Sequence, residues 1–276
     1  MVLKMLVRDF GDHFQLVLQP DHAEVSGQIA AAWRRDLPVS TEVREALDCA
    51  ATRHDEGWAV WERHPRLDEH RRPQIFYAVP LDSLLSSYRA CVDVLAAEHP
   101  AAGLLVSMHV SGLQRKRYGV MDASDVPPVS ELRPAIREFV QAEEDRQATL
   151  VNDLGLDESE RWCAYRQLQV YDVISLYLGL SDLAAGESTT IPPPPESLHA
   201  SDPQGPKASS LEIEPVSEPW TVRCDPFPFG EEPTRLTMRR RLLPKRDWGS
   251  EKSFRADFRA APVEEVTICV RSSSSR

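Results

Sequence analysis

Over much of the chain, apolar residues recur three and four positions apart between turn signals, the spacing of helices that bury one face. Val25, Ile29 and Trp33 mark one such face, on a helix predicted to start at Asp21 as N-cap with Glu24 completing a capping box. Val43, Leu47, Ala50 and Ala51 mark a second, capped by Ser40 or Thr41. Its stripe runs straight into His54 and Asp55, so an imidazole and a carboxylate face inward where that helix ends. Further helices are predicted over residues 81–98, 101–113, 130–153 and 158–180, with a break at Pro100. Before them, residues 5–8 and 14–19 alternate around Gly11-Asp12, a β-hairpin pattern. Near the other end, residues 220–224, 235–243 and 263–271 have strand character, with Asp247-Trp248-Gly249 as a turn.

Between residues 184 and 217 the pattern changes, with the run Ile191-Pro192-Pro193-Pro194-Pro195 followed by small polar residues. This composition reads as a disordered or polyproline linker. The expected organisation is a hairpin plus helical domain over 1–183, the linker over 184–217, and a β segment over 218–276. Three short strands make a poor core alone, so they are expected to pair with the N-terminal hairpin. The predicted fold class is mainly α: a helical bundle with one small antiparallel sheet built from both chain ends.

Composition narrows the function. A net charge of -11 argues against a partner with a phosphate backbone. No segment approaches the ~20 apolar residues of a membrane span, and the N-terminal apolar stretch is too short for a secretory signal. The 5 cysteines are scattered, odd in number and without a CxxC pair, which suggests reduced thiols in the cytoplasm. There is neither a Gly-rich phosphate loop nor a GxSxG elbow.

The buried polar positions carry the chemistry. An ionised carboxylate facing a core costs several kcal/mol unless a cation, hydrogen bonds or solvent meet it. Asp55 poses that problem at the end of one helix. Asp172 poses it more sharply, in a helix that is apolar nearly all round, where it must find an arginine, a helix terminus or a metal ion. His22 lies in a first helical turn, and His109 sits in Leu105-Val106-Ser107-Met108-His109-Val110 as either a satisfied core histidine or a ligand. Together with His54, these make five side chains of the donor types that a hard or borderline divalent ion takes, and helical bundles build metal sites from such inward-facing groups.

The order of one His, a His-Asp pair, another His and a late Asp resembles the metal-binding pattern of the HD-domain superfamily of metal-dependent phosphohydrolases. Gln19-Pro20-Asp21-His22-Ala23, His54-Asp55-Glu56-Gly57-Trp58 with Trp61-Glu62, Leu104 to His109, Asp172 to Leu178 and Pro226-Phe227-Pro228-Phe229 resemble the bacterial family DUF3891. The superfamily resemblance implies an HD-like helical bundle with His22, His54, Asp55 and Asp172 as ligands of an ion, be it Mn, Fe, Zn or Mg. His109 corresponds to the intervening histidine of dinuclear members. Those members have two such histidines; here only His99, beside the helix break, is near enough to be the second.

An ion with open positions would make water a nucleophile towards a small, phosphorylated substrate, with Asp55 as ligand or bridge. Glu56 is a candidate general base or else an exposed helix-end residue. Arg115, Lys116 and Arg117 either anchor a phosphate or form a solvated helix C-terminus. Trp58, with Trp61, either walls a base or sugar ring or packs in the core. Three functions fit: a metal-dependent hydrolase of phosphoesters or nucleotides, favoured by the donor set; a non-haem iron oxygenase of the dinuclear HD type; and a non-catalytic binding or sensory protein that keeps a metal.

Overall fold

A computed structural model of the chain describes residues 5–34, 37–75, 79–116, 128–191 and 210–273. The hairpin forms as β1 (Leu6–Asp9) and β2 (His13–Val17), with Gly11 at positive φ in the turn. Helix α1 (Gln19–Ala32) starts two residues before Asp21, because Pro20 fits a first turn and the unpaired N–H at its buried N-terminus is met from elsewhere. The backbone N–H of Gln19 donates to both carboxylate oxygens of buried Glu62, at 3.0 and 3.2 Å. Helix α2 (Thr41–Arg53) is capped by Ser40 and buries Val43, Ala46, Leu47, Ala50 and Ala51, the face expected from the spacing.

A single 3-10 turn, Glu56–Trp58, leads into the short α3 (Ala59–Glu62). Then come α4 (Leu81–Glu98) and α5 (Pro100–Gln114). Pro100 starts α5, and His99 caps it by accepting the Ala102 N–H at 3.3 Å. Helix α6 (Pro134–Leu154) ends at left-handed Gly155, and α7 (Glu158–Leu180) is capped by Asp157. α7 packs against α1, α2, α5, β1 and β3, which explains why it is apolar nearly all round. No helix among the described residues is long and apolar enough to cross a membrane.

The sheet corrects the expected fold class. It is not a small antiparallel sheet beside a mainly α, HD-like bundle but a seven-stranded mixed sheet, in the order β1-β2-β6-β7-β5-β4-β3. Two of its strands, β3 (Thr189–Ile191) and β4 (Leu211–Pro215), fall at the two ends of the stretch read as linker. Residues 192–209 between them lie outside the described residues. β4 alternates buried Leu211 and Ile213 with exposed Glu212 and Glu214, a pattern too short to stand out against the proline-rich composition around it. β5 (Thr221–Asp225) pairs with β4 and runs parallel to β7 (Glu264–Ser272), while β6 (Thr234–Pro244) joins β7 to the hairpin through β2.

Helix α8 (Glu251–Ala260) was not anticipated either; its capping box uses Ser250 and Ser253 rather than an acidic partner. Phe254 and Phe258, one turn apart, close a small second core with Met5, Phe14, Leu16, Leu243 and Trp248. The main core lies between the helices and the sheet.

Candidate metal centre

Four helices converge on one polar point in the main core. His22, Val25, Ser26 and Ile29 share the buried face of α1, and His54 extends that of α2. Asp55 follows at the entrance to the 3-10 turn, which is held hard against α4. A Cβ on Gly57 would strike the backbone of Ser87 and Cys91, so only glycine permits that approach. Gly27 serves α1 and α2 similarly, since a Cβ there would meet Thr52. His109 comes from α5 and Asp172 from α7. His22, His54, His109 and Asp172 are at most 4 % exposed, and Asp55 is 8 % exposed.

His22 Nε2 lies 3.1 Å from Asp55 Oδ2, and His54 Nε2 lies 3.4 Å from Asp172 Oδ1 and 3.9 Å from Asp55 Oδ2. The other Asp172 oxygen faces His109, 3.8 Å from its Nε2. The His54 ring stands edge-on to both other imidazoles, with centroids 5.1 Å from His22 and 5.3 Å from His109. His54 Nδ1–H donates to the Ala51 carbonyl at 3.1 Å, which leaves Nε2 facing the cluster, buried and without a well-formed hydrogen bond.

That arrangement fits a metal ion. One ligand atom each from His22, His54 and Asp172 lie within 4.8 Å of one another. Asp55 adds a second carboxylate beside them.

The electrostatics agree with a cluster built for positive charge. Burial works to lower the His54 pKa, but the Asp55 and Asp172 carboxylates outweigh it and raise it to about 9. Burial would raise Asp172, yet His54, whose Nε2 lies 3.4 Å away, and the other imidazoles around it hold it well below the usual carboxylate range. Asp55 is lowered too, its burial offset by His54 and His22. His109 differs: burial dominates and pushes it down to about 4. Burial, followed by the Asp55 charge, pushes Tyr88 well above an ordinary phenol, which keeps a neutral hydroxyl on this side of α4.

The five proposed ligands thus come together, and among the described residues none of the other candidates joins them. Glu56 turns outward to Arg53, 2.6 Å away, which also holds Glu98. Trp58 is fully buried, edge-on to Tyr88 and Trp61. Arg115 closes α5 and pairs with Glu144. Lys116 follows, exposed and at positive φ, and Arg117 lies outside the described residues.

Two participants escaped the sequence reading, Ser26 and Ser175, which are buried and hydrogen-bonded to each other at 2.9 Å beside His22. Their signal was present: Ser26 follows His22 by four residues and Ser175 follows Asp172 by three, each one turn along the same face.

Searches of curated proteins and of solved structures return no match. Nothing in the comparisons supports the HD-domain resemblance. The family model described as "Protein of unknown function (DUF3891)" matches residues 5–245. The chain therefore belongs to the DUF3891 family.

Proposed function

We propose that this protein is a metal-dependent hydrolase that holds a divalent ion through His22, His54, Asp55 and Asp172 and acts on a small phosphoester or nucleotide-like substrate. The observation that carries the reading is the buried His54 Nε2, aimed at two carboxylates with its other nitrogen tied to Ala51. A second imidazole nitrogen, His22 Nε2, faces Asp55 at 3.1 Å. A bound divalent ion supplies Lewis acidity towards a phosphoryl oxygen and makes water a better nucleophile near neutral pH. The chain's own residues orient the site. Asp172 ties the His22 and His54 side to the His109 side through its two oxygens, and Asp55 is the most exposed member of the cluster.

The near-complete burial of the cluster favours a second reading, a metal kept for structural or sensory use. Elemental analysis of protein purified without chelator tests the site, with near-stoichiometric Mn, Fe, Zn or Mg expected. Metal-free protein that also fails to take up added ion would end both readings. Turnover on a phosphoester panel decides between them: activity supports the hydrolase, and a loaded protein with no turnover supports the second.

A further inference from the structure

His22 and His54 face the same carboxylates but are held differently. His54 is tied within its own helix, to a carbonyl three residues back. The Nδ1 of His22 instead meets Ser175 Oγ, 2.8 Å away on α7. A hydroxyl has one proton to give and two lone pairs to receive with. Ser175 gives its proton to the Asp172 backbone carbonyl at 2.8 Å and receives the Ser26 hydroxyl at 2.9 Å. Only acceptor capacity is left for His22. The 3.8 Å from His22 Nδ1 to Asp172 Oδ1 is too long to compete.

We propose that Ser175 is a positioning residue that keeps a proton on Nδ1 of His22, so that Nε2, 3.1 Å from Asp55, is the nitrogen turned to the centre of the cluster and open to an ion. The same hydroxyl is bonded to the backbone of Asp172, so one side chain ties a ligand on α1 to a ligand on α7. Its consequence for metal affinity rests on the metal reading given above; the proton on Nδ1 itself does not. Partners of this kind typically change metal affinity ~10–100-fold when removed.

The test uses the full chain and zinc as the probe. In metal-free wild-type protein, the ring-nitrogen shifts of His22 by 15N NMR are expected to show a protonated Nδ1; a bare Nδ1 would overturn the proposal. In competition with a chromogenic chelator, Ser175→Ala is expected to bind zinc ~10–100-fold more weakly than wild type, with Ser175→Thr, which keeps the hydroxyl, recovering most of the loss. Folded Ser175→Ala with affinity within twofold of wild type would overturn it as well. If the wild type binds no zinc, the metal reading fails, while the state of His22 Nδ1 still decides the role of Ser175. If Ser175→Ala does not fold, the wild-type NMR and the Ser175→Thr affinity decide.

Discussion

Helix α5 separates two buried polar clusters. His109 faces the imidazoles and carboxylates, while Ser107 and Ser111, two residues to either side and so on the opposite face, meet α6. The α6 cluster closes on itself. Ser107 donates to buried Glu143 at 2.8 Å, Arg146 reaches the same carboxylate at 3.3 Å, and Gln147 donates to both serines at 3.0 Å. Hydroxyl, amide, guanidinium and carboxylate supply donors and acceptors in matching kinds. In the α7-side cluster the two serines bond each other, His22 and the α7 backbone, and the groups that converge on the centre are imidazoles and carboxylates, whose inward atoms are all acceptors unless protons are added. A self-satisfied network holds two helices together; a convergence of lone pairs asks for a cation. In the metal-free chain protons play that part, which is why His54 is raised to about 9.

The contrast breaks most readily by removing ligands. His54→Ala and Asp172→Ala should each lower the metal content of purified protein at least about tenfold, as expected for loss of a ligand, while Glu143→Gln leaves it at the wild-type level. An equal loss in Glu143→Gln would show that the two clusters are not distinct in kind.

Next comes Gly57→Ala, which has no room because the obstruction is backbone. Overpacking there should cost about 1–3 kcal/mol in urea unfolding, and it should weaken metal binding by displacing Asp55. A variant as stable as wild type would show that the 3-10 turn can move off α4.

A third difference lies in pH. Because the folded His54 value of about 9 lies above the ordinary 6.5, its contribution to stability is full below ~6.5 and is lost as pH rises through about 9. Asp172 and Asp55 are lowered, so theirs is present above the ordinary 3.8 and is lost as pH falls. Metal-free protein should therefore have a lower urea midpoint at pH 9 than at pH 6. Because ligand imidazoles must shed protons, added zinc should stabilise more at pH 9 than at pH 6. Parallel curves with and without zinc would count against shared use of His54 by proton and metal.

The smallest effect on the metal is expected on the α6 side. Ser107→Ala should cost about 1–3 kcal/mol, since it leaves Glu143 and Gln147 short of a partner, with metal content unchanged. Elemental analysis beside an unfolding curve checks both halves.

Much of the candidate centre was legible in the chain. The stripe through Leu47 and Ala50 put His54 inward, and the apolar surroundings of His109 and Asp172 marked them as buried. Helix α1 was legible as a face but not in its start, because the group that receives its N-terminal N–H, Glu62, lies 43 residues on. Ser26 and Ser175 were visible one turn from their ligands yet carried no meaning alone, since a serine in a helix ordinarily bonds its own backbone. β3 and β4 were hidden by brevity and by the composition around them, and the parallel pairing of β5 with β7 joins segments about forty residues apart.

The sequence by itself determined which side of each helix is buried, and therefore that two carboxylates and three imidazoles enter the core. That information is local, because a repeat of three and four fixes a face whatever lies opposite it. Only the tertiary structure decided that these faces meet at one point, that a serine from α7 orients a histidine from α1, and that the strands form one seven-stranded mixed sheet. Those are matters of partner choice over long separations, settled by which hydrogen-bonding groups and close glycine contacts coincide in space, and spacing along the chain does not encode them.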